Sequence, residues 1–570
     1  MRNLVVIAAL LLAALVAYFK FGPNGEKHPS SQLSYIPADT ALLSVQLEPF
    51  DLISYLKQVE MMPQNPKEAM ALLETMASAT GSNSGHFVAA LLEHYLEVLE
   101  QPEQLTQLTG IPQEFRSLFY LVGLSVVSRV ELADEAAFWR FFDRVEQQSQ
   151  LWHQAEETDN HPYRRYSLLE LAGQQIELLV SVNNGWGTLV LTSSKLDANH
   201  HAIALGLRKP ADPLNWQRDL QPLAQRYRLN ENSLGMVSSA ELLKALTGAE
   251  QNRLAKDLQQ LAGAELDAAL VNWRTPACQA DTAAIAANWP GIYFDNQMNQ
   301  QPVSSRMLIA STDQSAMASL SKLRGFIAPH VQQPVKDSVL QFGLGLNIGQ
   351  LLPAISELWT ATTSASFACQ PLQEMQAAMQ ASNPLAALAM AGMAGSVKGA
   401  SITINDIAMD PTTGMPSAVD ALVSISADNA QSLIQSLLMF YPAMAGIPLP
   451  APGEELELNE LFPMAAAFGL APKLMLSGDH ALVYQGERAQ QQARQLAGTT
   501  LSQNGLLHFG MNYAKLFSAM AAGMATSGME VPPEVDAMKD TPFQLGISMD
   551  IEPTGIAIES TMHFGGDQAD

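Results

Sequence analysis

The stretches ALLSVQLEPFDLISYL (residues 41–56) and FGLGLNIGQLLPAISEL (residues 342–358) read alike. Each begins with alternating apolar residues, passes a turn, and continues with a pair of apolar residues that opens a helix. Alternation on a two-residue period marks a half-buried strand, and the pair marks the inner face of an amphipathic helix. The pattern returns in LGMVSSAELLKAL (234–246) and FGMNYAKLFSAM (509–520). Aligned without gaps, Leu47, Val237, Leu346 and Met511 coincide, followed by Leu52/Ile53, Leu242/Leu243, Leu351/Leu352 and Leu516/Phe517.

Two further units recur in the same order. A strand running into an aspartate-started helix occurs around Asp134 and again around Asp428, because aspartate accepts hydrogen bonds from free first-turn amides. A hairpin running into a helix turns at Asn183-Asn184-Gly185 and again at Ser477-Gly478-Asp479. The separations from Leu47 to Leu346, Asp134 to Asp428 and Gly185 to Gly478 are 299, 294 and 293 residues. A near-constant offset over three ordered features predicts a tandem duplication, with copies over 35–327 and 335–570. The class predicted is α+β: two copies of mixed, mainly antiparallel sheet with helices on one face of each.

Ahead of the copies, Arg2 precedes the apolar run LVVIAALLLAALVAYF (4–19), and Lys20 follows it. This is the layout of an export signal, with positive charge held on the cytoplasmic side. Leu15 occupies a position where signal cleavage needs a small side chain, so residues 1–21 read as an uncleaved transmembrane signal-anchor, with a cleaved leader as the alternative. Residues 22–34 are polar and read as a tether. The body is thereby expected in the periplasm of a bacterium, held to the inner membrane through residues 4–21.

With 570 residues, 48% hydrophobic and 15% charged, the chain is folded and large enough for several cores. Its formal charge of −25 opposes nucleic-acid phosphates, and no basic patch reverses it. The two cysteines, Cys278 and Cys369, read either as a disulfide of an oxidising compartment or as two buried thiols. The 26 methionines are the compositional oddity. Met375 and Met379, Met390 and Met393, and Met520 and Met524 lie at helical spacings in Ala- and Gly-rich surroundings. They read as core, as an adaptable apolar groove for a lipid or partner helix, or as soft copper ligands, the last unsupported by any nearby histidine or cysteine.

The segment YIPADTALLSVQLEP, carrying Pro37, Ala38, Asp39 and Thr40 and then Leu42, Val45 and Leu47 of a strand, resembles the start of a family of uncharacterised bacterial envelope proteins. The resemblance covers some fifteen residues. It implies an exported protein of unknown activity and brings no catalytic residues with it.

Catalytic motifs are absent: no Gly-x-Ser-x-Gly elbow, no His-Glu-x-x-His helix and no phosphate loop occurs. Ser-x-x-Lys pairs at Ser54/Lys57 and Ser319/Lys322 lack their partner motifs, and His200-His201 reads as polar surface. The chain therefore reads as a non-enzymatic, cofactor-free binding or scaffolding protein of the envelope with a protein partner. A carrier or sensor of a hydrophobic ligand, using the methionine-rich helices, is the alternative, and an enzyme whose site follows no motif is a third reading.

Overall fold

The computed structural model describes residues 30–51, 83–297 and 302–564, apart from 172, 249, 410–415, 441–448, 460–469, 527, 541 and several positions between 383 and 393. The expected anchor over 1–21 and the start of the tether lie outside these residues. The tether's end does not: Leu33 and Ile36 are fully buried, so the core begins there. The chain forms two compact units. The first reaches Ala310 and also takes in Phe367–Gln373; the second holds Ser311–Ser366 and the chain from Glu374 onward. The expected junction at 328–335 is instead part of the second unit's core, where Phe326, Ile327, Ala328 and Val331 pack with Leu422, Leu482 and Tyr484.

The strands of the first unit are β1 (Leu42–Asp51), β2 (Glu114–Val122), β3 (Ser125–Glu131), β4 (Gln154–Thr158), β5 (His161–Leu171), β6 (Gln174–Asn183), β7 (Trp186–Ser193), β8 (Ser233–Ser238), β9 (Gly291–Gln297) and β10 (Val303–Ala310). Their spatial order is β4-β5-β6-β7-β3-β2-β1-β8-β9-β10. Its helices include α1 (Asn83–Glu100), α2 (Glu135–Ser149), α3 (Ala198–Ala204), α4 (Ser239–Thr247), α5 (Arg253–Leu270) and α6 (Pro276–Asn288). The second unit has β11 (Leu340–Leu344), β12 (Val397–Met409), β13 (Pro416–Ala427), β14 (Glu455–Glu457), β15 (Lys473–Leu476), β16 (His480–Gln485), β17 (Leu507–Asn512), β18 (Phe543–Glu552) and β19 (Gly555–Phe564). Their order is β14-β15-β16-β13-β12-β11-β17-β18-β19. Among its helices are α7 (Ile348–Ser364), α9 (Ala430–Phe440), α10 (Glu487–Ala497) and α11 (Tyr513–Thr526), while α8 (Gln370–Ala381) starts in the first unit's Phe367–Gln373 segment and continues into the second.

This corrects the expected fold class of two tandem homologous copies of mixed sheet behind a transmembrane helix. Among the described residues each unit's sheet is antiparallel at every pairing named above, and no described helix is long and apolar enough to cross a membrane. The physical reason is the connections. Parallel neighbours need a long crossover, whereas many neighbours here are joined by tight turns. Asn184 and Gly185 both have positive φ and form the two-residue hairpin between β6 and β7, the conformation that asparagine and glycine adopt most readily. The two units do share strand order: the second repeats the first, strand for strand, without β4.

The expectation of helices on one face also fails in the first unit, where α3 lies on the side of Ser125 and Ser181, Ser181 Oγ donating to Leu205 O at 2.9 Å, opposite the side of α1 and α2. One face of its sheet carries an aromatic core under α1 and α2, where Phe87, Phe138, Phe142, Tyr166 and Val180 are buried. Asp134 starts α2 by accepting from the Ala137 amide at 2.9 Å, as its position predicts. In the second unit Asn429, not Asp428, accepts from the first turn of α9 at 2.8 Å, while Asp428 pairs with Lys398 at 3.0 Å.

The Pro-Ala-Asp-Thr segment is a latch at the start of β1. Asp39 accepts from the Arg253 amide at 2.9 Å at the head of α5. The buried Thr40 hydroxyl donates to Leu121 O at 2.8 Å and accepts from Leu121 N at 3.2 Å, fixing β1 beside β2.

Candidate functional site

In an antiparallel sheet, directly opposed residues share a face, so the register of the second unit reads out its two surfaces. One row runs Ile547, Phe509, Phe342, Ile402, Val423, Val483 across six strands. The next row on that face runs Leu545, Met511, Leu340, Ile404, Ala421, and the row on the other side Met549, Leu507, Leu344, Ala400, Ile425. Three consecutive rows are therefore apolar, with polar residues only at their ends, as at Ser560 and Gln485.

Both faces carry helices: on the apolar side Ala430 and Ile434 of α9 pack with Ala481 and Val483, and Tyr513 of α11 packs on Phe543, while the opposite face is the polar one. Gln341, Ser401, Thr403, Ser424, Ser426 and His480 are buried there, with α10 and residues 326–331 packed on the apolar positions among them. Their polar groups are matched. Ser401 and Ser424 hydroxyls meet at 2.6 Å, and His480 bridges Ser426 Oγ at 2.9 Å and Thr499 O at 2.9 Å. The apolar face keeps a window open at its centre: Leu344 is 37%, Ile402 40% and Val423 43% exposed. Alternation normally turns polar residues to water and apolar ones inward. Here Leu344, Ile402 and Val423 break that rule as a small apolar window, and exposed apolar surface of this kind marks a candidate binding site.

The methionines expected to form a groove are divided. Met520 and Met524 lie on α11, which packs against β12, β17 and β18 and so borders the apolar face; Met520 is 41% exposed. Met375 and Met379 are exposed on a separate helix, α8, which Gln376 and Gln380 tie to carbonyls at the end of α7. Met390 and Met393 lie outside the described residues. The floor of the apolar surface is the sheet, not a methionine-lined helix.

Cys278 and Cys369 are joined in a disulfide inside the first unit, both fully buried. Asp281, on α6 with Cys278, accepts from the amides of Ala368 and Cys369 at 2.7 and 2.8 Å, so the incoming segment is held on both sides of the bond. Beside it, α4 and α6 enclose a groove of about 310 Å³ lined by Ala240, Leu243, Thr247, Ala283 and Ala286.

Ser319 and Lys322 both give their polar atoms to Glu357, at 2.7 and 2.6 Å, which leaves neither as nucleophile or base. Ser54 and Lys57 lie outside the described residues. Among the described residues, no three His, Cys, Asp or Glu side chains are grouped to hold a metal ion.

The histidine pair read as surface is buried instead. His200 Nε2 meets Ser125 Oγ at 2.7 Å, and its Nδ1 faces Asp257 Oδ1 at 3.5 Å. These are the residue types of a hydrolytic relay, brought together from α3, β3 and α5. Ser125 is fully buried and is also held by Thr192 at 2.6 Å, so a substrate carbonyl has no approach. The arrangement is a lock: Asp257 Oδ2 accepts from the Leu124 amide at 2.8 Å, in a turn where a Cβ on Gly123 would strike the same carboxylate at 1.8 Å.

This lock carries a pH signature. Burial pushes the Asp257 carboxyl up to about 7, with Asp197 and Asp39 adding to the rise and Arg253 and the Leu124 amide opposing it. Burial pulls His200 down to about 4, helped by His201 and Arg253 and opposed by Asp197. The folded state holds the Asp257 proton more tightly than the unfolded chain, so that contribution to stability is lost as pH rises toward 7. It holds a proton on His200 less tightly, so that contribution is lost as pH falls from about 6.5 toward 4. Across their common window the two slopes cancel. Asp257→Asn is expected to uncover the histidine, giving stability that falls more steeply than the parent's between pH 6.5 and 4.5. Urea midpoints at three pH values check this, and parallel profiles reject the neutral pair.

No protein-family model, curated protein or solved structure matches this chain.

Proposed function

We propose that this chain is a non-enzymatic binding protein of the bacterial cell envelope, held at the inner membrane by residues 4–21 with its body in the periplasm. The observation that carries the binding role is the partly exposed apolar window of Leu344, Ile402 and Val423 on β11, β12 and β13. The buried Cys278–Cys369 bond supports the compartment, since lasting disulfides belong to oxidising environments. The leader, with Arg2 ahead of its apolar run, supports the address.

Protease added to intact cells and to spheroplasts tests the address. The body is expected to survive in the former and be digested in the latter, with no thiol open to alkylation. A body recovered from the cytosol with two reactive thiols refutes the proposal.

A further inference from the structure

Arg129, on β3, is the largest fully buried side chain among the described residues, and no carboxylate among them pairs with it. Arginine is almost never buried this deeply without a counter-charge, because a low-dielectric interior leaves the cation unsolvated. Its contacts do not supply one. Nε donates to Thr188 Oγ1 at 3.3 Å, and the guanidinium carbon lies 4.8 Å from the ring centre of Tyr35 and 5.7 Å from that of Trp186. Ring faces offset part of the charge but leave the in-plane donors unmatched. Nη1 accordingly has no acceptor.

A second group beside it is in the same position. Tyr120, opposite Val127 on β2, is diagonal to Arg129 on one sheet face, and its buried hydroxyl also has no hydrogen-bond partner. The two are near without being bonded: burial raises the pKa of the hydroxyl, and the Arg129 charge opposes the rise. We infer that Arg129 Nη1 and the Tyr120 hydroxyl hold a small monoanion, a halide or a carboxylate, in a site of the first unit independent of the apolar window. Both donors favour an anion, and one buried cation balances a single negative charge. The way in is past Tyr35, whose half-buried ring lies on the guanidinium and has the exposed Lys209 Nζ 5.3 Å from its centre. Lys209 has no ion pair among the described residues either. In a chain of formal charge −25, two uncompensated cations about one ring make a local attraction for anions.

The test uses the purified full chain in nonionic detergent at constant ionic strength, with sodium gluconate, too bulky for a closed site, replaced by sodium chloride or sodium acetate. The thermal midpoint of the first unit is expected to rise by about 3 °C in at least one of the two salts. That rise should shrink by at least half in Tyr120→Phe, which removes only the hydroxyl, and vanish in Arg129→Met. A bromide peak beside Arg129 Nη1 in soaked crystals identifies a halide, and a rise in acetate without that peak identifies a carboxylate; both support the inference. Equal midpoints in all three salts overturn it, as does a rise undiminished in Tyr120→Phe, which would mark adventitious ions elsewhere. Should Arg129→Met fail to fold, the phenylalanine variant and the soak still decide.

Discussion

Glu146→Ala is expected to destabilise the first unit by about 3–5 kcal/mol, the range for removing one partner of a buried ion pair. Glu146 is 3% exposed on α2, beneath the aromatic core. Its Oε1 accepts from the Tyr166 hydroxyl at 2.7 Å and from Arg164 Nη1 at 3.1 Å, and it meets His153 Nδ1 at 2.7 Å. Alanine leaves the Tyr166 hydroxyl buried without this acceptor. Arg164 keeps Asp143 at 2.7 Å and its seat over Trp139 at 4.6 Å, which places the loss toward the lower end of the range. Burial, and then the Glu146 carboxylate, hold the Tyr166 hydroxyl protonated far above its ordinary range, so the phenol remains a donor at any working pH. Glu146→Gln keeps an acceptor and should lose roughly half as much. Denaturant titration followed by hydrogen exchange in α2 and β5 reads both variants. Protection unchanged there would refute the account.

Replacing Cys278 and Cys369 together by alanine is expected to cost about 4–5 kcal/mol, because the bond closes a loop with a sequence separation of 91. For a unit of this size the thermal midpoint should fall by roughly 10 °C. Scanning calorimetry of the double variant measures the fall, and the segment Phe367–Gln373 should become the first site of proteolysis. Both sulfurs are fully buried, so reductant should act on the native protein only at the rate of local unfolding. Rapid reduction without denaturant, or a midpoint within 2 °C of the parent, would contradict this.

Individual strands and turns were legible in the sequence, though not the sheet they build, because each depends on local chemistry. Alternation around Leu47 and Leu346, and the Asn-Gly turn at 184–185, are two-residue signals that survive without tertiary context. The aspartate at 134 was legible for the same reason, and the one at 428 was misplaced by a single residue because Asn429 competes for the same amides. What alternation does not report is which face is covered. The row of Phe342, Ile402 and Val423 reads as an inward set, and the chain packs α9 and α11 on that side and α10 on the side of Ser401 and Ser424, yet Ile402 and Val423 stay partly exposed. The window was hidden because alternation does not report a gap in the helical cover. The Ser125–His200–Asp257 lock was hidden by distance, since its members come from three separate elements with no motif spacing. Methionine spacing located α11 but said nothing of the sheet beside it.

The disulfide joins α6 to a segment that the chain supplies only after leaving the first unit. During synthesis a domain near the N-terminus ordinarily completes itself before the next is made. Here the first unit cannot close its covalent frame until Cys369 has been made, by which time β11 and α7 already exist. Maturation of the amino-terminal half therefore waits on translation of its neighbour. A ribosome stalled after Ala310 would leave a lone thiol at Cys278, open to mispairing with a second nascent chain.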